Sequence, residues 1–187
     1  MSVLTAPYQA KLITGEELLE MGDIGLCELI DGRIVPMSPT NSEHGFVEFT
    51  MGSALEQFVR PRKIGWVMGG EVGIYTRRNP DRVRGADVAF ISRERMPKRP
   101  RRAFLEVAPE LVIEVISPND LWEEVRQKIE EYFAVGVLWV WIVEPENRAI
   151  LVYHSPTEFR KYGPGEAIQG EGILQGFSLP VATLFEE

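Results

Sequence analysis

The stretch Glu110-Leu111-Val112-Ile113-Glu114-Val115-Ile116-Ser117-Pro118 sets a carboxylate inside an apolar run. A short run of this kind reads as a strand buried on both faces of a sheet. A lone charge there costs several kcal/mol unless a partner compensates it. Gly85-Ala86-Asp87-Val88-Ala89-Phe90-Ile91 poses the same problem at Asp87. Two carboxylates on two apolar strands, 27 residues apart, point to one shared cation, which makes a metal site the leading hypothesis. The plainer alternatives are a Glu114 paired with an arginine and an Asp87 turned to solvent at a strand start.

Working outward, Thr14-Gly-Glu-Glu17 is a capping box that opens a short helix to about Met21. Residues 28–35 read as two strands around the turn Asp31-Gly32. Asn41 or Ser42 caps a helix whose apolar positions are Val47, Met51, Ala54, Leu55, Phe58 and Val59, and Pro61 ends it. Strands follow near 66–68, 72–75, 87–91 and 111–116. A second helix runs from about Asn119 to Val135, with Leu121, Trp122, Val125, Ile129, Tyr132 and Phe133 on one face, and Gly136 stops it. Val137–Val143 is the strongest strand by composition. Strands at 149–153 and 159–162 follow, then an apolar tail, 173–185, that docks on the body. No repeat, linker or low-complexity segment interrupts the chain. It reads as one mixed α/β domain over residues 1–187.

Composition excludes several classes. The chain has 187 residues, 44% hydrophobic and 26% charged, which suits one globular core. Its longest apolar stretch, 133–143, is too short to span a membrane. Residues 1–10 lack a secretory signal pattern. With Cys27 as the only cysteine, there is no intrachain disulfide and no Cys-rich zinc site. The expectation is a soluble cytoplasmic protein without membrane contact. No Gly-rich phosphate loop appears, which argues against a nucleotide-dependent enzyme. His154 ends a strand without an evident partner, and the four tryptophans read as core.

The net charge of −8 argues against nucleic acid, but the average hides a segregation. Residues 77–102 hold ten basic side chains against three acids, a local +7, so the rest of the chain carries −15. Such a patch attracts phosphates even on an acidic protein; otherwise it is a solvated arginine-rich loop.

Arg84-Gly-Ala-Asp87, Glu114-Val-Ile-Ser-Pro118, the Lys128–Tyr132 segment and Gly136–Val143 together resemble the Uma-two endonuclease family. That family lies within the PD-(D/E)XK restriction endonuclease-like superfamily. The resemblance covers about Glu28 to Tyr153. It implies an αβββαβ core, a mixed central sheet flanked by helices, here with an N-terminal β-hairpin and extra C-terminal strands. It implies hydrolysis of DNA phosphodiesters with Mg²⁺ or Mn²⁺, held by Asp87, Glu114 and the carbonyl of Val115. DNA becomes the expected partner, contacted through Arg82, Arg84, Arg99, Arg101 and Arg102, and a homodimer is compatible with this reading.

The sequence departs from the superfamily pattern at Ala86, where a proline is usual, and at Ile116, where the pattern expects lysine. The family relocates that lysine to the next helix, where Lys128 matches. With Val125 at 0°, Lys128 falls at about 300°, on the edge of the apolar face. It either reaches the two acids or pairs at the surface with Glu124, four residues earlier. Glu43, His44 and Glu48 on the first long helix are candidate supports for the metal, and Tyr132 could orient Lys128 or simply pack. The rival functional reading is a nuclease fold that has lost catalysis and serves as a DNA-binding or structural module.

Overall fold

Thr14 closes the expected capping box: its hydroxyl accepts the Glu17 N–H at 3.1 Å, and the Glu17 carboxylate accepts the Thr14 N–H at 2.9 Å. The computed structural model describes residues 11–118 and 120–186. The chain runs α1 (Gly15–Glu20), β1 (Cys27–Ile30), β2 (Arg33–Pro36), α2 (Ser42–Arg62), β3 (Gly65–Arg77), β4 (Arg82–Ser92), β5 (Leu111–Val115), α3 (Trp122–Ala134), β6 (Trp139–Glu144), β7 (Ala149–Ser155) and β8 (Glu158–Tyr162). A small ribbon of β9 (Ala167–Gln169) and β10 (Ser178–Pro180) and two 3₁₀ turns complete it. Asp31 and Gly32, both at positive φ, make the hairpin turn.

Among the described residues eight strands form one sheet, in the order β2-β1-β4-β5-β6-β7-β8, with β3 also on β4. Only β5 and β6 run parallel, joined through α3; the other pairs are antiparallel. The segment α2-β3-β4-β5-α3-β6 is the expected αβββαβ core, with its mixed sheet flanked by helices.

Both faces of the sheet are covered, which is why the central strands read as unbroken apolar runs. On one face Val47, Met51, Leu55 and Val59 of α2 pack on Val88, Phe90, Ile113, Val115 and Trp141, and the C-terminal tail docks there through Leu174, Phe177, Val181 and Leu184. On the other, Val125, Ile129 and Tyr132 of α3 pack on Val112, Val140, Ile142 and Leu151.

Four local expectations change. Pro61 does not end α2; the helix continues to Arg62, whose guanidinium donates to the Phe58 carbonyl at 2.9 Å, and Lys63 turns left-handed. A proline this close to the C-terminus disturbs only the last turn. The separate strands at 66–68 and 72–75 are one strand, β3, interrupted by a bulge at Gly70-Glu71, both at positive φ. Helix α3 begins at Trp122, and Leu121 lies 62% exposed instead of on the buried face; the expected start at Asn119 falls outside the described residues. His154 does find a partner, Glu171, with Nε2 to Oε1 at 2.7 Å. Among the described residues no helix is long and apolar enough to cross a membrane.

Candidate active site

Strand β4 lends one edge to β3 along its whole length and divides the other. β1 pairs there only at Leu29↔Val83, and β5 only from Val88↔Ile113 to Phe90↔Leu111. Residues 84–87 therefore lie in a fork between two strands, where backbone groups and side chains are free to serve something other than the ladder.

Asp87 sits at the crotch of this fork. One further step of the β4–β5 register would set it opposite Glu114, both side chains leaving one face. Instead its Oδ2 accepts the Val115 N–H at 2.6 Å, and His44 Nε2 stands 3.3 Å from the same oxygen. Glu114 is buried at the end of β5; its Oε1 accepts the Tyr132 hydroxyl at 2.5 Å and its Oε2 the Lys128 ammonium at 3.2 Å. Lys128 does not pair with Glu124. It points along the sheet into a cavity of about 560 Å³ lined by Glu28, His44, Glu71, Asp87, Glu114 and Val115. Tyr132 is fully buried and locks Glu114 in place.

The candidates from α2 separate. Glu43 is exposed in its first turn and does not line the cavity. His44, the next residue of that turn, donates its N–H to the Asn41 cap at 2.9 Å and is buried. Glu48, one turn further, has its Oε1 fixed by the Gly70 N–H at 3.0 Å.

Two residues of the cavity escaped the sequence reading. Glu28 of β1 accepts the Gly85 N–H at 3.1 Å, Arg84 at 2.7 Å and Lys128 at 3.2 Å. Its signal was a glutamate alternating with apolar residues in a hairpin strand. Glu71 is thrown toward Gly85 by the β3 bulge, and the Gly69-Gly70 pair before it was the available signal.

Arg82 and Arg84 turn inward. Both pair with Glu131, Arg84 also with Glu28 and Arg82 also with Asp31, so their charges are neutralised within the protein. Arg99, Arg101 and Arg102 are exposed in the loop before β5.

The acids outnumber their partners, and their proton affinities reflect it. Burial, with Asp87 nearby, pushes the Glu71 carboxyl up to about 7. Burial pushes Glu114 up to about 8, with Lys128 opposing and Asp87 adding to the rise. Glu48 is raised by burial and by Asp87. Burial works against the His44 and Lys128 cations, but Asp87 outweighs it for His44, and Glu114 and Glu28 outweigh it for Lys128, so both are raised.

The sign of the linkage follows. The folded protein holds protons on Glu71 and Glu114 that the unfolded chain releases above about pH 4.5. Their stabilisation is present below that pH and is lost as pH rises through about 7 and 8. His44 acts in the same direction. Calorimetry in EDTA is expected to show the melting temperature falling from about pH 5 to about pH 8.5, the range over which Glu71 and Glu114 give up their protons in the folded protein; a rise across it would mean that the acids are compensated.

The fork offers donors for a metal. One ligand atom each from His44, Glu48 and Asp87 lie within 4.8 Å of one another. His44 Nδ1 is buried without a hydrogen-bond partner, 3.9 Å from Glu48 Oε2. An orphaned nitrogen beside surplus carboxylates fits a divalent cation. Glu114 is outside this group, and Lys128 and Tyr132 engage its two oxygens.

A forked mixed sheet with acids at the crotch and flanking helices defines a restriction endonuclease-like fold. The chain belongs to the Uma2 family, whose profile, described as "Putative restriction endonuclease", matches residues 16–182. Among solved structures it is similar to one described as "a putative nuclease belonging to DUF820" from Anabaena variabilis, at 21% identity and a TM-score of 0.79, covering 92% of this chain and 97% of that one. No curated protein gives a significant match.

Proposed function

We propose that the chain acts as a single restriction endonuclease-like domain that hydrolyses DNA phosphodiester bonds with a divalent cation. The observation that carries this reading is the gathering of Asp87, Glu48, His44, Glu114 and Lys128 around one fork, with more carboxylates than internal cations. A fold kept only as a scaffold has no use for so much buried, mutually repelling charge, which disfavours the inactive-module reading.

Asp87, Glu48 and His44 would hold the cation, with the Val115 carbonyl adjoining through the residue whose N–H fixes Asp87. When bound, the cation supplies an acidified water and neutralises charge on the attacked phosphate. Lys128 directs a fixed positive charge into the cavity, where charge grows on the phosphate oxygens. Glu114 and Tyr132 hold that amine in line. The imidazole in the donor set favours Mn²⁺ over Mg²⁺, which takes oxygen ligands almost exclusively. Arg99, Arg101 and Arg102 provide the exposed cationic contact for DNA, and Arg82 and Arg84 serve the structure instead.

Plasmid cleavage in Mg²⁺, Mn²⁺ or EDTA tests this reading. Nicking is expected with Mn²⁺, more weakly with Mg²⁺, and not in EDTA. Glu114→Ala is expected to weaken it strongly while retaining DNA binding. Cleavage that persists in EDTA would refute the metal-dependent reading, and wild-type cleavage by Glu114→Ala would remove Glu114 and the amine it holds from the reaction.

A further inference from the structure

A second cavity, of about 590 Å³, opens between α2 and β3 with Glu48 in its wall. Gly45, Glu48, Phe49, Gly52 and Glu56 line it from one face of α2, three or four residues apart, and Val67 and Val88 line it from the sheet. Two glycines on one helix face call for a reason, because glycine weakens a helix interior. Packing within the chain does not supply it. A Cβ at Gly45 would meet nothing within 4 Å, and one at Gly52 would meet only the Val88 methyls at an ordinary 3.6 and 3.9 Å. Neither glycine needs a left-handed φ. Their effect is to keep a trough open along the helix. Phe49 stands beside it, 75% exposed, and joins none of the hydrophobic clusters or aromatic pairs among the described residues.

The charge of the trough selects its occupant. Glu48 and Glu56 are its charged lining residues, and among the described residues no lysine or arginine lines it. Arg60 holds one oxygen of Glu56 at 2.5 Å and leaves the other free. Such carboxylates repel a phosphate but accept the amino groups on the edge of a nucleobase. An exposed phenyl ring and an apolar floor take the flat face of the same base. A base presents that face only when it has left the stack of a duplex. Glu48 also belongs to the group formed with His44 and Asp87, so a strand whose phosphate lies at the fork brings a neighbouring base to the trough. We infer that the trough beside Phe49 binds an unpaired base of the strand presented to the fork. DNA with an unpaired stretch is then the preferred substrate class, and a closed duplex enters only by giving up a base. This rests on the DNA-cleaving reading above.

The test is fluorescence anisotropy of a fluorescein-labelled oligonucleotide of mixed sequence, offered to the full chain as a single strand and as a duplex. Low salt and EDTA keep cleavage and metal out of the measurement. Charge alone favours the duplex, whose phosphates are denser, so tighter binding of the single strand reports its bases. The wild type is expected to show that preference. Phe49→Ala is expected to weaken the single strand by about 5- to 100-fold, the usual range for one stacked base. The duplex, held through Arg99, Arg101 and Arg102, is expected to bind nearly as before. Gly45→Leu fills the trough from a helical position with open space around it. It is expected to melt no lower than the wild type and to lose the same single-strand affinity. Equal affinity of the wild type for the two forms would overturn the inference, as would wild-type single-strand binding by either variant. A loss shared equally by the duplex would mean a general contact and overturn it too. So would a switch from dimer to monomer in Phe49→Ala by light scattering with single-strand binding unchanged, which would give this face to a second copy of the chain. Plasmid cleavage by a wild type without the preference would leave the DNA-cleaving reading standing. A wild type that binds neither form overturns the inference, and one that also cleaves no plasmid overturns both.

Discussion

Lys128→Met is expected to fold, to retain metal, and to lose DNA cleavage by a factor on the order of 10²–10³, the usual cost of one electrostatic donor. The methionine keeps the aliphatic stem that crosses the edge of α3 and deletes only the charge. The fold survives because neither former partner is stranded. Glu114, pushed up to about 8 by burial even with Lys128 opposing, keeps its proton at neutral pH, and Glu28 keeps Arg84 and the Gly85 N–H. The loss should therefore appear in kcat more than in KM, since the ammonium acts where charge develops. Steady-state cleavage of a labelled duplex, with circular dichroism as the fold control, reads both. Wild-type turnover in this variant would remove Lys128 from the reaction and leave the metal group standing.

Asp87→Asn is expected to reduce cleavage to background, and to do so by abolishing metal binding. Asparagine keeps an oxygen to accept the Val115 N–H, so the strand fork retains the 2.6 Å bond that alanine would break. An orphaned buried N–H costs about 1–3 kcal/mol, and the amide avoids it. The charge that raises Glu48 and Glu71 is lost with the carboxylate, so the metal-free variant is expected to be at least as stable as wild type above neutral pH. In the wild type a cation at 100 times its Kd adds about 2.7 kcal/mol of stability. Differential scanning calorimetry with and without Mn²⁺ should show that gain in the wild type and none in Asp87→Asn. An equal thermal shift in both proteins would place the metal elsewhere.

The two readings differ in how they depend on the fork. Lys128 and Glu114 meet across α3 and β5, whereas Asp87 meets His44 and Glu48 across β4 and α2. Sites at the ends of rigid elements hold their geometry by packing. Here Met51 and Leu55 on one side and Ile129 on the other are essentially inaccessible to solvent, and they fix both helices on the sheet.

The sequence by itself determined the elements and the acids. Apolar runs without alternation require a sheet covered on both faces, and 3.6-residue periodicity required the two helices that cover it. A carboxylate in such a run must be compensated, so Asp87 and Glu114 could be read directly. Helical geometry allowed Lys128 to reach them but left its surface pair with Glu124 as an alternative. Tertiary structure decided that choice, because only the packing angle of α3 on the sheet sets where a side chain at the edge of a stripe points. It also decided the partners that arrive from far away in sequence. Glu28 enters because β1 pairs with β4 at a single position, and Glu71 because a bulge turns β3 inward. Arg82 and Arg84, read as part of a basic patch, became internal counter-ions once β4 lay beneath Glu131 of α3. Charge along a chain is additive and legible; which charges neutralise one another depends on distance in the folded protein.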